Sequence, residues 1–434
     1  METSLESQTN RVKSPELRTD LVRDLLSELR RLAEETGTLD TPDLAYALIL
    51  DAQRERASDV HIEPRSDSYR LRMRIDGFLH DAAILNVPHA RILLNQFKAI
   101  SDLDPIVRFT PKDTRATVML PKGKIDLRLA LAPCQHGEKL AIRLLDPQRL
   151  ERSIRELGME PAMLAQLEQW LENVSGMFLA AGPTGSGKTT TIYALMHELK
   201  FRNKSIVSLE DPVEYQIDGI TQIRIDELHH VDFAEGVKAI LRLDPDFLVL
   251  GEMRDKASAR SAINAALSGR ALLSTIHCRD AVGAVTTLRN WDLLDQEIAE
   301  SLVVVVAQRL VRRLCEKCKR EVKPSDKELR WFVANGFPPP RTLWAPAGCK
   351  YCNQIGYFGR IGVFELWRLT DDDYQAILRH RDEHSLRQAL AIRRGQNIVN
   401  DAVQKVRSGL TSVREITGLG ISLANTSDSG ERVL

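Results

Sequence analysis

The feature that most constrains this chain is a glycine-rich segment at residues 182–189, GPTGSGKT. It has the G-x-x-x-x-G-K-[ST] spacing of a phosphate-binding loop. A short apolar run at 177–181 predicts a buried strand before it, and a helical pattern follows it. Glycines let the backbone wrap closely around phosphate oxygens, and amides at the start of a helix favour an anion. The sequence therefore predicts a site for a nucleoside triphosphate.

Two side chains carry the chemistry of this loop. The Lys188 ammonium is predicted to reach the β- and γ-phosphates, and the Thr189 hydroxyl is predicted to ligate Mg²⁺. The alternative is a Gly/Ser-rich loop that matches the spacing by chance, and the strand before it and the helix after it count against this. The predicted nucleotide-binding residues are Gly182, Pro183, Thr184, Gly185, Ser186, Gly187, Lys188, Thr189 and Thr190.

The composition of the chain counts against several classes of protein. The chain has 60 basic and 60 acidic residues, whereas a dedicated nucleic-acid binder is more often basic. Its first residues lack the apolar core of a secretory signal, and its apolar runs are shorter than the roughly 18 residues that cross a bilayer. Four of its six cysteines form two C-x-x-C pairs, which is not the pattern of a disulfide scaffold. These features predict a soluble protein of the reducing cytoplasm.

Acidic side chains follow two of the three further apolar runs, which alternate with helical patterns and predict a mostly parallel sheet. Glu210 follows the first run and Glu252 the second, and His277 lies just beyond the third. Residues just past strand ends line the ligand crevice of such sheets. Glu252 is the first choice for activating the attacking water and Glu210 the second. The two carboxylates lie close together in the predicted crevice, so the sequence alone leaves both roles open. His277 is predicted to sense the γ-phosphate, although a lone histidine is more often structural.

Residues 41–150 predict an α+β domain. Apolar and charged residues alternate in 69–79 and in 124–129, which is typical of half-buried strands. The arginines of these strands face the polar side of the predicted sheet. From the pattern alone, that side is either a solvated face or a functional one.

The two C-x-x-C pairs predict a metal site. Thirty residues separate the pairs, a longer spacing than usual, and a helical stretch at 326–335 accounts for the excess. Four thiolates suit a closed, structural, tetrahedral Zn²⁺ site. An iron–sulfur cluster and a redox dithiol are the alternatives. The predicted zinc ligands are Cys315, Cys318, Cys349 and Cys352.

Taken together, these motifs resemble the secretion ATPases of type II secretion and type IV pilus assembly, which are related to the twitching and conjugation motors. The resemblance runs from about residue 44 to residue 418. The segments that carry it are the phosphate-binding loop, the opening of the N-terminal domain at 57–64, the aspartate box at 209–214, the Walker B region at 241–255, the histidine box at 274–281 and the segment at 307–314 that leads into the metal module.

The resemblance implies a Mg²⁺-dependent, hexameric ring motor that hydrolyses ATP to drive type II secretion or type IV pilus assembly. By motif position, Arg115 and Arg128 match the family's candidate arginine fingers, which neutralise charge at the γ-phosphate. The implied partners are copies of this chain, the inner-membrane platform and cytoplasmic docking proteins, with no nucleic acid. The implied location is the cytoplasm, with peripheral attachment to the inner membrane through partners.

Six positions depart from the family pattern and bear on subunit coupling and turnover: Lys112, Thr114, Ala257, Ser258, Arg270 and Thr287. Two other functions stay open. One is a DNA-translocating or helicase-type ATPase, against which the zero net charge counts. The other is a scaffold that binds nucleotide without hydrolysing it, against which the intact phosphate and water-handling residues count.

The expected fold class is α/β, with a RecA-like core of mostly parallel sheet. The predicted division is a disordered start and amphipathic helix at 1–40, an α+β, PAS-like domain at 41–150, a linker and lead-in helix at 151–175, a RecA-like ATPase domain at 176–314, a tetracysteine zinc module at 315–365, a small helical domain at 366–420 and a disordered tail at 421–434. The first helix is either a plain surface helix or a docking helix for a partner.

Overall fold

A computed structural model describes residues 18–34, 43–106, 110–121, 123–146, 151–172, 174–202, 204–225, 233–380, 382–391 and 397–419. The chain forms two compact units, Met1–Pro147 and Gln148–Leu434. The predicted disordered tail and most of the predicted disordered start lie outside the described residues. Within the described ranges, no helix is both long enough and apolar enough to cross a membrane.

The first unit is a six-stranded antiparallel sheet with helices. Its strand order is β3-β2-β1-β6-β5-β4. Burial alternates along β2, so that its apolar residues face the core and its arginines face the other side. The elements are a 3₁₀ turn at Thr19–Val22, α1 (Arg23–Glu34), α2 (Leu44–Arg54), β1 (Ala57–Pro64), β2 (Ser68–Ile75), β3 (Phe78–Asn86), α3 (Val87–Ile100), β4 (Lys112–Leu120), β5 (Gly123–Cys134) and β6 (Gly137–Leu145).

Helix α1 uses its apolar side within this unit. Leu25 is fully buried, and Leu29 is nearly so, in the same hydrophobic cluster as residues of α2. The buried Asp51 carboxylate of α2 accepts the backbone N–H of Leu25 at 2.9 Å. These contacts favour the surface-helix interpretation of this segment.

The second unit is built on a seven-stranded sheet with the order β15-β12-β7-β11-β10-β8-β9. All neighbours are parallel except the edge strand β15, which runs antiparallel to β12. The strands are β7 (Met177–Ala181), β8 (Ile206–Glu210), β9 (Thr221–Arg224), β10 (Phe247–Leu250), β11 (Ala271–Ile276), β12 (Leu302–Leu314) and β15 (Tyr357–Arg368), with β13 (Arg320–Val322) and β14 (Leu343–Ala345) paired separately.

Helices cover both faces of this sheet. The strands β7, β8, β10 and β11 are buried along their whole length, as expected of parallel strands with helices on each side. The helices are α4 (Pro161–Glu172), α5 (Lys188–Lys200), α6 (Phe233–Leu241), α7 (Lys256–Leu267), α8 (Ala281–Asn290), α9 (Asp295–Ser301), α10 (Asp326–Ala334), α11 (Asp371–Arg379), α12 (Glu383–Ala391), α13 (Ile398–Arg407) and α14 (Val413–Thr417).

The C-terminal elements pack into the second unit in a way that differs from the seven-part division. Strand β15 begins inside the predicted cysteine module and pairs with β12 along most of its length. Helices α11 and α12 bury Ile377 and Leu386 in one hydrophobic cluster with α8. Helices α13 and α14 pack instead in a cluster with β12, β15 and α10. Long-range pairing thus joins segments that the sequence separates, and the finer division stays a prediction.

Candidate nucleotide site

A cavity of about 370 Å³ lies at the carboxyl ends of β7, β8, β10 and β11. It brings together seven of the predicted functional residues, which come from four different segments of the second unit. Its polar lining includes Thr184, Lys188, Thr189, Glu210, Asp211, Glu214, Glu252, Arg254, Thr275 and His277.

The loop before α5 has the shape of an anion cradle. Gly185 and Gly187 have φ angles of 77° and 92°, in the left-handed region that favours glycine. The Lys188 ammonium donates to the carbonyl oxygens of Gly182, at 2.9 Å, and Pro183, at 3.1 Å. Burial lowers the pKa of Lys188. The buried Ser186 hydroxyl has no hydrogen-bond partner among the described residues, and an orphaned donor in such a loop fits a phosphate group.

Gln308 on β12 ties this loop to the sheet, and the sequence analysis did not single it out. Its side-chain amide is buried, with 2% exposure. Its Nε2 donates to the Ser186 carbonyl at 2.9 Å, and its Oε1 accepts from the Thr191 hydroxyl at 2.8 Å. A Cβ at Gly187 would lie 3.0 Å from the same Nε2. The sequence signal that could have indicated Gln308 is a polar amide that directly follows the apolar run of this strand.

Glu210 is enclosed by hydrogen-bond donors. Its side chain is buried, and Tyr193 donates its hydroxyl hydrogen to Oε2. The Ser208 hydroxyl donates to Oε1 at 2.6 Å, and Gln222 Nε2 donates to the same oxygen at 3.1 Å. Burial, reinforced by the carboxylate, raises the pKa of Tyr193. Both oxygens of Glu210 are therefore engaged within the protein.

Glu252 lies in different surroundings. Its side chain is 27% exposed, and Arg254 Nε donates to Oε1. The Nε2 atom of His277 lies 3.5 Å from Oε2 of Glu252, and the His277 side chain is 45% exposed. Arg254 also donates from Nη1 to Asp211 at 3.0 Å. Glu252 therefore faces the cavity as a carboxylate that solvent reaches.

The predicted arginine fingers lie side by side in the first unit. Arg115 on β4 is directly opposite Arg128 on β5, and Arg143 on β6 is directly opposite Arg128. Asp59 lies next in this row and accepts from Arg143 Nε at 3.1 Å. Like charges directly opposite one another are destabilising, so such a row suits a polyanion. Arg143 was not among the predicted site residues, although the alternation of its strand places it on the same face.

The departures at Ala257, Arg270 and Thr287 do not line the cavity in the described part of the chain. The Thr287 hydroxyl donates to a backbone carbonyl within α8. Lys112 and Thr114 lie on β4, and the Thr114 hydroxyl donates to the Ser101 carbonyl at 3.2 Å.

The four predicted metal-binding cysteines converge. Their Sγ atoms all lie within 4.8 Å of one another. The distances are 3.9 Å for Cys315–Cys349, 3.7 Å for Cys318–Cys352 and 3.7 Å for Cys349–Cys352. A tetrahedral zinc ion with Zn–S bonds of about 2.3 Å requires sulfurs about 3.8 Å apart. The Gly356 amide also donates to Cys352 Sγ at 3.2 Å, a typical outer contact of thiolate sites. The donor set and its spacing fit zinc.

Comparison with known proteins extends these observations. A sequence profile of the family described as Type II/IV secretion system protein matches residues 35–418. The Type II secretion system ATPase E of Vibrio cholerae is 35% identical over 399 residues, covering 91% of this chain and 79% of that protein. The Type IV pilus assembly ATPase PilB of Myxococcus xanthus is 33% identical over 422 residues, covering 94% and 74%.

Among solved structures, the Legionella pneumophila ATPase DotB superposes with a TM-score of 0.65 at 18% identity. The alignment covers 89% of this chain and 98% of that one. At this identity the likeness concerns the fold. The predicted α/β class with a RecA-like core is confirmed.

Proposed function

Because the chain belongs to the Type II/IV secretion system protein family, we propose that it hydrolyses ATP as the motor of type II secretion or of type IV pilus assembly. The observation that carries this proposal is the cavity, in which the phosphate-binding loop meets Glu252 and His277. The names of the relatives, ATPase E and PilB, support the same activity.

In this proposal the loop binds the triphosphate, and the Lys188 ammonium pairs with the negative charge of its phosphates. The amides at the start of α5 and the Lys188 ammonium neutralise the phosphate oxygens. The Lys188 ammonium already lies over the loop, where its donors can turn from the two loop carbonyls to phosphate. The Thr189 hydroxyl, with the nearby carboxylates, offers the hard oxygen ligands that Mg²⁺ prefers. Mg²⁺ would supply charge neutralisation at the β- and γ-phosphates.

The surroundings of the two carboxylates favour different roles. Glu252 reaches solvent within the cavity, so it can orient a water and accept its proton. Glu210 holds three donors on its two oxygens, and accepting a proton would disrupt that buried network. We assign water activation to Glu252 and a positioning role to Glu210. His277, beside Glu252, is proposed to respond to the γ-phosphate.

The remaining groups complete a ring motor. Arg115 and Arg128 are proposed to neutralise charge at the γ-phosphate, within a homo-hexamer in which closure between the two units is the mechanical output. The four cysteines are proposed to hold a structural Zn²⁺. The ring is proposed to act at the cytoplasmic face of the inner membrane, held there by platform and docking proteins, without nucleic acid.

The first test is ATP hydrolysis by the full chain beside two variants of one helix. Lys188→Ala is expected to abolish turnover, since it removes the cation at the phosphates. Lys200→Ala, at the other end of α5, is the matched control and keeps wild-type turnover. Mass determination in the same samples is expected to give a sixfold assembly. Equal turnover in the wild type and in Lys188→Ala would contradict the proposal.

The second arm separates the carboxylates. Glu252→Gln is expected to lower kcat by about 100-fold or more while a fluorescent ATP analogue still binds. Glu210→Gln is expected to lower the melting temperature more than Glu252→Gln does, because it breaks a buried network. A wild-type melting temperature for Glu210→Gln, together with full kcat for Glu252→Gln, would reverse the assignment.

A further inference from the structure

The loop between β11 and α8, residues 277–280, connects the cavity to the C-terminal helices. His277 at its start lines the cavity beside Glu252. Asp280 at its end caps α8, since its Oδ1 accepts the backbone N–H of Gly283 at 2.9 Å. One loop of four residues therefore joins the proposed γ-phosphate sensor to the start of a helix.

Arg387 on α12 holds the far end of this loop. Its Nη1 donates to Asp280 Oδ2 at 2.9 Å, and its Nη2 donates to Oδ1 at 3.0 Å. Such a bidentate pair fixes the orientation as well as the position of the carboxylate. The Arg387 side chain is 27% exposed, so solvent screens this pair only in part. Glu383, one turn earlier on α12, also accepts from Arg387 and keeps the guanidinium in place.

Two other elements hold the backbone here, one at the loop and one at the first residue of α8. Arg309 on β12 donates from Nη2 to the Arg279 carbonyl at 2.6 Å. The buried Glu365 carboxylate on β15 accepts the backbone N–H of Ala281 at 3.4 Å. Arg387 differs from both because it comes from α12, so it connects the C-terminal helices to the loop through a charged side chain.

We propose that Arg387 is a positioning residue for ATP hydrolysis. By holding Asp280, it keeps His277 against Glu252, and turnover thereby depends on where α12 lies. This inference rests on the proposed function, because His277 and Glu252 act there on the γ-phosphate. Arg387 does not line the cavity, so its loss changes the chemical step and leaves nucleotide binding in place.

The test compares three variants of the full chain. Arg387→Gln is expected to lower kcat about tenfold with KM within about twofold, since a bidentate ionic contact is lost away from the nucleotide. Arg387→Lys is expected to restore part of kcat because it keeps a cation for Asp280. Arg289→Gln is the matched control, since Arg289 ties the other end of α8 to the Ile377 carbonyl of α11 at 2.7 Å. It is expected to keep kcat within about twofold of wild type.

Hydrogen exchange supplies a readout that does not depend on activity. In nucleotide-free protein, Arg387→Gln is expected to speed amide exchange in peptides that cover 277–283, and Arg289→Gln is not. Unchanged exchange in this segment overturns the inference. So does a fall in kcat in Arg387→Gln no larger than in Arg289→Gln. A wild type that does not hydrolyse ATP overturns the proposed function. In that case the exchange measurement still tests whether Arg387 holds the segment 277–283 in place.

Discussion

At the scale of single residues, the Gln308 side chain connects the phosphate-binding loop to the central sheet by hydrogen bonds. It contributes both a donor and an acceptor, and both are satisfied in a site that excludes water. Removing a buried amide leaves its hydrogen-bond partners unpaired. The resulting loss of folding free energy is larger than the net stabilisation that the hydrogen bonds provide. The conformation of the loop therefore depends on strand β12 as well as on its own glycines.

This dependence predicts the effect of Gln308→Leu. The variant keeps the volume but leaves the Ser186 carbonyl and the Thr191 hydroxyl without their partner. We expect KM for ATP to rise about tenfold, which corresponds to the loss of about 1.4 kcal/mol of binding free energy, with a smaller change in kcat. Steady-state kinetics and titration with a fluorescent ATP analogue measure both.

A control shows whether this effect is local. Asn335 is also a buried amide, and it donates to the Trp331 carbonyl at 2.8 Å in the second unit, within a segment that does not line the cavity. Asn335→Leu is expected to lower the melting temperature without raising KM. A normal KM in Gln308→Leu would show that the loop keeps its shape without β12.

Residues differ in how far the sequence alone could assign them. Lys188 and Thr189 were predictable because a local motif sets the geometry of their loop. Glu210 and Glu252 were both predicted to lie at the site, but the different surroundings of the two were not, because the enclosure of Glu210 depends on Tyr193 and Gln222, which no local pattern connects to it. Gln308 and Arg387 were missed, because each acts on a residue more than 100 positions away in the chain.

At the scale of elements, the cysteine cluster is a small closed site at the end of the longest strand. Cys315 directly follows β12, and the second pair of cysteines precedes β15. The metal would therefore close the segment between the two strands and hold their ends together. This is the role of a structural zinc, whose binding free energy contributes to folding.

The zinc prediction follows from this arrangement. The purified chain is expected to contain one equivalent of zinc in reducing buffer, and Cys318→Ser is expected to lose it and to melt at a lower temperature. Cys134→Ser, at an exposed thiol outside the cluster, is expected to change neither. Elemental analysis and thermal unfolding provide the readouts. Less than half an equivalent of zinc in the wild type would contradict the assignment.

Elements were predictable to different degrees. Strand β7 was predicted at its observed residues, 177–181, because a short apolar run that ends at a phosphate-binding loop leaves little choice. The partner of β15 was not predictable, since antiparallel pairing at a sheet edge is a contact across about 50 residues. For the same reason, no local pattern indicates that α11 and α12 bury their apolar sides in one cluster with α8.

At the scale of the whole molecule, the proposed function assigns the arginine row to the first unit and nucleotide binding to the second. The arginines of β4, β5 and β6 form a row, and Asp59 is the acidic neighbour at its end. If they act at the γ-phosphate, their removal affects the transition state more than binding, because the negative charge that they neutralise develops there.

We therefore predict a selective loss in Arg128→Ala. The value of kcat is expected to fall by about 10²–10³-fold, with ATP binding and assembly mass unchanged. Arg72→Ala is the matched control, because Arg72 lies on the same polar face and is paired with Glu63 at 2.7 Å. It is expected to keep kcat. Equal kinetics for the two variants would leave the row with a role in stability alone.

The pairing of β12 with β15 has a mechanical consequence. Strand β12 leaves its partner β7 at Ala307, and its last seven residues continue as a two-stranded ribbon with β15. At about 3.3 Å per residue this ribbon is about 23 Å long, so a turn of about 5° at its base moves its tip by about 2 Å. Its base is Gln308, at the phosphate-binding loop, and its tip is the cysteine cluster. The ribbon therefore connects the phosphate-binding loop, through Gln308, to the cysteine cluster, and a change of angle at its base would displace that cluster.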